Sequence, residues 1–290
     1  MEALGFNHTE ENMNENLFVP VSSFVTMGIT LVLAFAVPVI LFTFLTKKKG
    51  YSKKPFFIGC AVFTLFALIL ESACNAVIFA GDRGTAIIQK PILYGLIGGF
   101  MAGLFEETGR FIAFKTVLKK NKDDNSTAIA YGAGHGGFEA FIILISAAAT
   151  NLVFSAMINT GNTALLTAGR DAASVAAMEQ MFQTLKTSNP AAFLLPIVER
   201  IPAIAIHISM SVLVWFAAKE KKLTYLYPAA ILTHLLIDAV AAYVTLLKVN
   251  TVFVELIVYA FAALSVLLAA FIWKKQTAKN HAVTSGIVIE

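Results

Sequence analysis

The chain has 290 residues, of which 58% are hydrophobic and 14% are charged. Soluble domains are typically about 25% charged, so the composition excludes a chain built mainly from soluble globular domains. The net charge of +4 comes from short basic clusters between apolar runs. Such clusters usually fix membrane topology and do not indicate nucleic-acid binding. We therefore predict an all-α, polytopic membrane protein that has the lipid bilayer as a partner and no nucleic-acid partner.

Apolar runs long enough to cross a bilayer, about 20 residues each, recur along the chain. They predict a bundle of about seven transmembrane helices over residues 22–273. The predicted spans are 22–45, 55–80, 91–118, 127–158, 191–217, 224–247 and 252–273. The fourth run is too long for one crossing, so we predict that it ends in an interfacial segment. Residues 159–190 form the one long connection.

The basic residues outside the spans alternate between the two sides of the predicted bundle. Fifteen lysines follow spans one, three, five and seven, whereas the opposite side carries five basic residues. The positive-inside rule places the fifteen lysines in the cytoplasm. We therefore predict a multi-pass cell-membrane protein with an extracellular N-terminal tail (1–21) and a cytoplasmic C-terminal tail (274–290).

Small residues recur at helical spacing in two spans. Gly95, Gly99 and Gly103 repeat every four residues in span three, and Gly132 and Gly136 do so in span four. Small residues at this spacing let helix backbones approach closely in lipid. Helix packing is a sufficient explanation for both patterns.

Ionisable residues lie inside five of the predicted spans, where each costs roughly 2.5–3.5 kcal/mol at mid-bilayer. So many ionisable residues within the membrane require a shared polar interior. They are Glu71, Glu106, Glu107, Arg110, His135, Glu139, Glu199, Arg200, His207, His234 and Asp238. The six acids exceed the two arginines by four charges. A low-dielectric interior does not tolerate this excess, so some carboxyls are protonated, some histidines are charged, or a cation is bound.

Spacing and depth indicate which of these residues meet. Two pairs share a helix face at i, i+4 spacing, namely His135 with Glu139 and His234 with Asp238. At 1.5 Å per residue, His135, His234 and Glu106 lie about 12, 15 and 18 Å from the cytoplasmic ends of their spans. We therefore expect spans three, four and six to meet around one site, which span five joins through His207.

Structural roles remain open for some of these residues. Arg110 with Glu106 or Glu107 forms a plausible buried ion pair. Glu199 and Arg200 are adjacent and point to different faces, which favours pairing across helices in a supporting role. Glu71 and Asn75 read as a structural pair.

Three motifs in order carry a family resemblance. Residues 106–110 read EExxR, residues 135–139 read HxxxE, and residues 234–238 read HxxxD. This order resembles the superfamily that joins the type II CAAX prenyl proteases, the bacterial PrsW proteases and the APH subunit of γ-secretase. The chain most resembles the YhfC family of bacterial membrane proteins, identified as intramembrane peptidases.

The motifs also depart from those of the CAAX proteases. The CAAX motif EExxxR is one residue longer than the motif here. Glu139 stands where the CAAX proteases have the histidine of FxxxH, and Asp238 replaces an asparagine. The PrsW proteases share the shorter first motif and the acid in the second.

The resemblance implies hydrolysis of a peptide bond in or near the membrane. It implies that Glu106 activates water, that Glu107 is its partner and that Arg110 orients the pair. His135 or His234 would contact the oxyanion. The acids that would orient these histidines are Glu139 and Asp238. The implied substrate is a membrane-bound peptide or a small membrane protein.

Other chemistries stay open from the sequence. Two histidines, His135 and His234, with a carboxylate would suit catalytic zinc, although no HExxH motif is present. The cofactor prediction is therefore either none or zinc, and the resemblance leans towards glutamate without metal. Buried acids and histidines would also suit a proton- or cation-coupled transporter, but no inverted repeat or proline-interrupted helix pair supports that function. A catalytically silent scaffold is the third alternative.

Overall fold

The protein was analysed as a computed structural model that describes residues 18–284, with side chains described for residues 18–278. All regular elements in this part of the chain are helical. Six helical segments are long and apolar enough to cross a membrane, and a bent helix pair brings the number to seven if it counts as one span. The predicted polytopic helical bundle is thus confirmed. The predicted N-terminal tail lies almost entirely outside the described residues.

The helices are numbered here in chain order. They are α1 (Val21–Thr43), α2 (Lys53–Phe63), α3 (Ser72–Ile78), α4 (Gly81–Ile88), α5 (Pro91–Lys115), α6 (Ser126–Asn159), α7 (Ala164–Thr167), α8 (Ala172–Thr187), α9 (Leu195–Lys219), α10 (Leu226–Leu246) and α11 (Thr251–Thr284). Two π-helical segments, Phe44–Lys48 and Thr64–Glu71, and three 3₁₀ turns, Lys119–Asn121, Pro190–Leu194 and Lys221–Leu223, complete the described elements.

Most predicted span boundaries agree with the helices to within a few residues, but three features differ. The long connection contains α7 and α8. Asp171 caps the N-terminus of α8, and its carboxylate accepts a hydrogen bond of 2.9 Å from the Ser174 backbone N–H. The hydrogen bonds from Ser174 lower the pKa of Asp171. The last helix continues past residue 273 to Thr284 because the intervening sequence contains no glycine or proline to end it.

The third difference is the short helix α4 ahead of α5. The two helices meet at an angle of 108°. Gly81 opens α4 with a φ of +60°, a conformation that favours glycine. Pro91 begins α5 because proline has no backbone N–H to donate inside a helix.

The chain divides into two compact units. The described part of the first unit comprises residues 18–37 and 141–198. Its core includes Met27, Ile158 and Phe182, which are all buried. The side chain of Asn159 accepts a 2.8 Å hydrogen bond from the Val19 backbone N–H and donates a 2.9 Å hydrogen bond to the Val19 carbonyl.

The second unit comprises residues 38–140 and 199–284 in the described chain and holds every site residue predicted from the sequence. Within it, α5 packs along the antiparallel α10. The glycines of α5 form this seam. A Cβ added at Gly95, Gly99 or Gly103 would lie 2.6–2.7 Å from a backbone carbonyl oxygen of α10. Only glycine therefore allows this approach.

A second glycine seam joins α6 to α9. A Cβ at Gly132 would lie 2.6 Å from the Cα of Ile208, and one at Gly136 would lie 2.9 Å from the Cβ of His207. Both predicted glycine patterns therefore serve close packing. Because each seam runs directly into the charged residues of its helix, the packing also positions the site.

Neighbouring glycines in α5 give a matched test of the α5–α10 seam. Gly99→Ala should lower the thermal unfolding temperature in detergent, since the new Cβ would lie 2.6 Å from the Leu235 carbonyl oxygen. Gly98→Ala should leave it unchanged or raise it, because nothing lies within 4 Å of that position and alanine favours the helix by roughly 1 kcal/mol. Equal unfolding temperatures for the two variants would refute the seam.

Candidate active site

The centre of the site is a buried ion pair within α5. Arg110 Nη1 lies 2.6 and 2.7 Å from the two carboxylate oxygens of Glu107. Both side chains are fully buried. Their i, i+3 spacing on one helix holds them together without a partner helix. This pair therefore neutralises one buried carboxylate locally.

The ion pair reaches α10 through His234. The Nδ1 atom of His234 lies 2.9 Å from Glu107 Oε1, and its Nε2 atom lies 3.3 Å from Asp238 Oδ2. Both neighbours are carboxylate acceptors, so the ring satisfies them best with a proton on each nitrogen. The predicted His234–Asp238 pairing is therefore present, and it continues into the α5 ion pair.

Glu106 points to a different set of partners. Its Oε2 atom lies 2.9 Å from His135 Nε2 on α6 and 3.7 Å from His207 Nδ1 on α9. Glu106 is only 6% exposed. No arginine or lysine of the described chain forms an ion pair with it. Glu106 is therefore a buried carboxylate surrounded by imidazole.

His207 connects the two halves of the network. Arg110 Nη2 lies 3.2 Å from His207 Nδ1, and His207 Nε2 contacts the Oε2 atom of Glu139. Arginine is only a donor, so Nδ1 accepts and the ring proton lies on Nε2, facing Glu139. The neighbours of His207 thus fix both its tautomer and its orientation.

Arg200 compensates Glu139 at the edge of the site. Its Nη1 atom lies 3.0 Å from Glu139 Oε1, and its Nη2 atom lies 3.9 Å from Glu199 Oε2. The side chain of Glu199 is 35% exposed, compared with 14% for that of Glu139. The predicted pairing across helices therefore occurs through Arg200.

A cavity of about 380 Å³ borders these groups. It is lined at its inner end by Glu106, His207 and His234. A cavity with a largely apolar wall and a few convergent polar groups is the usual form of an active site.

Three of the residues fit a metal ion. Glu106, His135 and His207 each offer a ligand atom, and the three atoms lie within 4.8 Å of one another. All three residues are buried. Two imidazoles and one carboxylate form the donor set of several catalytic zinc sites. Glu106 forms no ion pair with an arginine or lysine of the described chain, so an ion here would help to balance its charge.

The structure brings together the ten residues predicted as catalytic or supporting, although it groups the histidines differently. His207, expected only to support the site, lies beside His135, with ring centroids 5.0 Å apart. His234, expected as a metal ligand with His135, instead faces Glu107 and Asp238. Glu71 does not line the cavity and accepts a 3.1 Å hydrogen bond from Asn75, in line with a structural pair.

Two aromatic residues near the site were missed from the sequence. Phe63 stands edge-on to His135 with ring centroids 5.2 Å apart, and Tyr131 lies one helical turn before His135 with centroids 6.0 Å apart. Both look like ordinary apolar residues of a membrane span. No local pattern distinguishes them.

The fold and the site define a multi-pass helical membrane protein with a buried cluster of carboxylates and histidines. The family model described as YhfC intramembrane metalloprotease matches residues 33–258. A curated relative from Bacillus subtilis (strain 168), described as an uncharacterized membrane protein YhfC, is 34% identical over 238 residues, which cover 81% of this chain and 90% of the relative. The chain belongs to the YhfC family, as its motifs predicted. No solved structure gives a significant match to it.

The buried ion pair gives a test by double substitution. Arg110→Met should lower stability by about 3–5 kcal/mol because it leaves Glu107 buried without compensation. Adding Glu107→Gln should recover part of that loss, with a coupling of about 0.5–3 kcal/mol between the two sites. Thermal unfolding in detergent measures both effects. The exposed Glu179→Gln is the control, and strictly additive losses would contradict the ion pair.

Proposed function

We propose that this protein is an intramembrane endopeptidase in which Glu106, His135 and His207 hold a divalent metal ion. The observation that carries the proposal is the position of Glu106. It is a buried carboxylate whose ion-pair partners are two histidines. No arginine or lysine of the described chain forms an ion pair with it. A protein interior rarely keeps such a carboxylate charged without a cation. The family description, intramembrane metalloprotease, supports the same conclusion.

Zinc is the ion that this donor set favours. Imidazole and carboxylate ligands suit zinc, and three protein ligands leave a fourth position for water. When bound, zinc lowers the pKa of that water and polarises a carbonyl group. Neither cysteine is among the three candidate ligands.

The surrounding residues have roles that follow from their contacts. Glu139 faces His207 Nε2, so it holds the imidazole with Nδ1 turned towards Glu106. Carboxylates behind a ligating histidine commonly fix its tautomer in this way. A metal ion bound at Nδ1 would replace the 3.2 Å hydrogen bond that this atom accepts from Arg110. Arg200 bonds the other oxygen of Glu139 and keeps that carboxylate in place.

His234 is the candidate for contacts with the reacting carbonyl group. It lines the cavity, and its ring is held between Glu107 and Asp238. Its Nδ1–H is held by the buried Glu107, so the Nε2–H, which contacts the 40% exposed Asp238 at 3.3 Å, is the one that would turn to the substrate. There it would stabilise negative charge on a carbonyl oxygen and donate a proton to the leaving amine. Glu107 and Arg110 position this ring and are too deeply buried to reach a substrate.

Metal content tests the proposal directly. Protein purified without chelator should hold about one equivalent of zinc, measured by elemental analysis. Glu106→Gln, His135→Asn and His207→Asn should each lose it, because each removes one of three ligands. Membrane-peptidase activity should disappear on chelation and return with zinc. A metal-free wild type that remains active, while Glu106→Gln is inactive, would favour water activation by glutamate instead.

A second measurement separates ligands from positioning residues. Glu139→Gln should weaken zinc binding about 10- to 100-fold, since it loosens a ligating histidine. Asp238→Asn is the matched control, because it changes a cavity carboxylate that contacts His234 and none of the three ligands. Its zinc affinity should equal that of the wild type. An equal loss in both variants would show that cavity charge alone sets the affinity.

A further inference from the structure

The cavity runs from the site towards one end of three helices. From His207, the lining continues along α9 towards its first turn, through Ala203 to Glu199. From His234, it continues along α10 through Ala241 to Thr245, near the last turn. On α11 it includes Val254, Glu255 and Val258, all in the first turns. On all three helices the lining therefore extends from the site towards the same end of the bundle.

Exposure rises in the same direction. The side chain of Glu106 is 8% exposed, whereas those of Glu199 and Asp238 are 35% and 40% exposed. A second cavity, of about 350 Å³, shares four lining residues with the first and reaches Lys248 in the turn between α10 and α11. The path therefore continues from the buried carboxylate to the surface at this turn.

The opposite side of the site is closed by aromatic residues. Phe114 packs against Tyr131 and Trp215, with ring centroids 4.7 and 5.1 Å away. These three residues are at most 3% exposed. The Trp215 indole N–H also donates a 3.0 Å hydrogen bond to the Asn125 side chain. This aromatic plug separates the site cavity from a cavity of about 320 Å³ at that end of the helices, which shares no lining residue with it.

The plugged end is also the basic end. Lysines lie around the last turn of α5, the following loop and the end of α9, namely Lys115, Lys119, Lys122, Lys219 and Lys221. The turn at the cavity mouth carries only Lys248. Basic residues concentrate on the cytoplasmic side of membrane proteins. The open end of the cavity is therefore the end that this rule assigns to the outside.

We propose that the site is open to water from the extracytoplasmic side and closed towards the cytoplasm. Resting on the proposed peptidase function, the proposal implies that the scissile bond enters from the outer face. Along α10, His234 lies 11 residues from Thr245, or about 16 Å at 1.5 Å per residue. An extended peptide covers that distance with about five residues.

The substrate is accordingly a polypeptide with at least that length of extended chain at the outer face. A transmembrane helix that stayed wound would not fit the same path as readily, because a helix is about 10–12 Å across with its side chains. A loop or terminus that emerges outside the membrane meets the requirement. A cytoplasmic tail does not meet this requirement, because it lies on the side where the site is closed.

Cysteine labelling in membrane vesicles tests the proposal. The background carries Cys60→Ala and Cys74→Ala, which removes both native thiols. Thr245→Cys and Ala241→Cys place probes at the mouth and within the cavity, and Ala218→Cys places one at the basic end. A membrane-impermeant maleimide added to right-side-out vesicles should label Thr245→Cys and Ala241→Cys, and it should label Thr245→Cys faster than Ala241→Cys. Inverted vesicles should label only Ala218→Cys.

Each alternative pattern overturns a stated part of the proposal. Cavity probes labelled only in inverted vesicles would place the opening in the cytoplasm. Cavity probes labelled from neither side, in vesicles where Ala218→Cys reacts, would show a cavity closed to water. In proteoliposomes, outside labelling of Thr245→Cys should abolish peptidase activity. Activity absent before labelling would instead refute the proposed function and leave the access result standing.

Discussion

The structure depends on compensating charge where water is scarce. Glu107 and Arg110 lie three residues apart on α5 and are completely buried, so each is acceptable only because of the other. The glycine seam brings α10 close enough for His234 to bond the same carboxylate, and Arg110 reaches His207 on α9. One ion pair thus links three helices, and the cavity forms at their junction.

Adjacent residues on one helix turn have different roles as a result. Glu107 faces Arg110 and is neutralised, whereas Glu106 is turned about 100° around the helix and faces His135 and His207 instead. The first carboxylate holds the helices together. The second lines the cavity and forms no ion pair with an arginine or lysine of the described chain, and for this reason we propose it as a metal ligand. Neighbouring positions on one helix therefore give these two carboxylates different partners.

Much of this arrangement could be predicted from the sequence. Apolar length gave the spans, and the cost of burying charge identified the site residues, because both effects act residue by residue. The partners of the histidines could not be predicted. His207 and His234 each lie about 15 Å from the cytoplasmic end of their predicted spans, at 1.5 Å per residue, and only the rotation of their helices distinguishes them. The aromatic plug around Phe114 was also missed, because apolar residues carry no local signal of which neighbours they contact. Gly81 and Pro91 indicate a break before α5, but not the 108° angle between the two helices.

The central claim is that one buried carboxylate and two imidazoles bind zinc. X-ray absorption at the zinc edge, on wild-type protein reconstituted in lipid, tests it most directly. The account predicts that only nitrogen and oxygen bind the zinc and that the outer-shell scattering comes from two imidazoles. If His207→Asn retains some zinc, that zinc should show the scattering of one imidazole. A shell that contains sulfur, or one without imidazole scattering, would contradict the assignment of Glu106, His135 and His207 as the ligands.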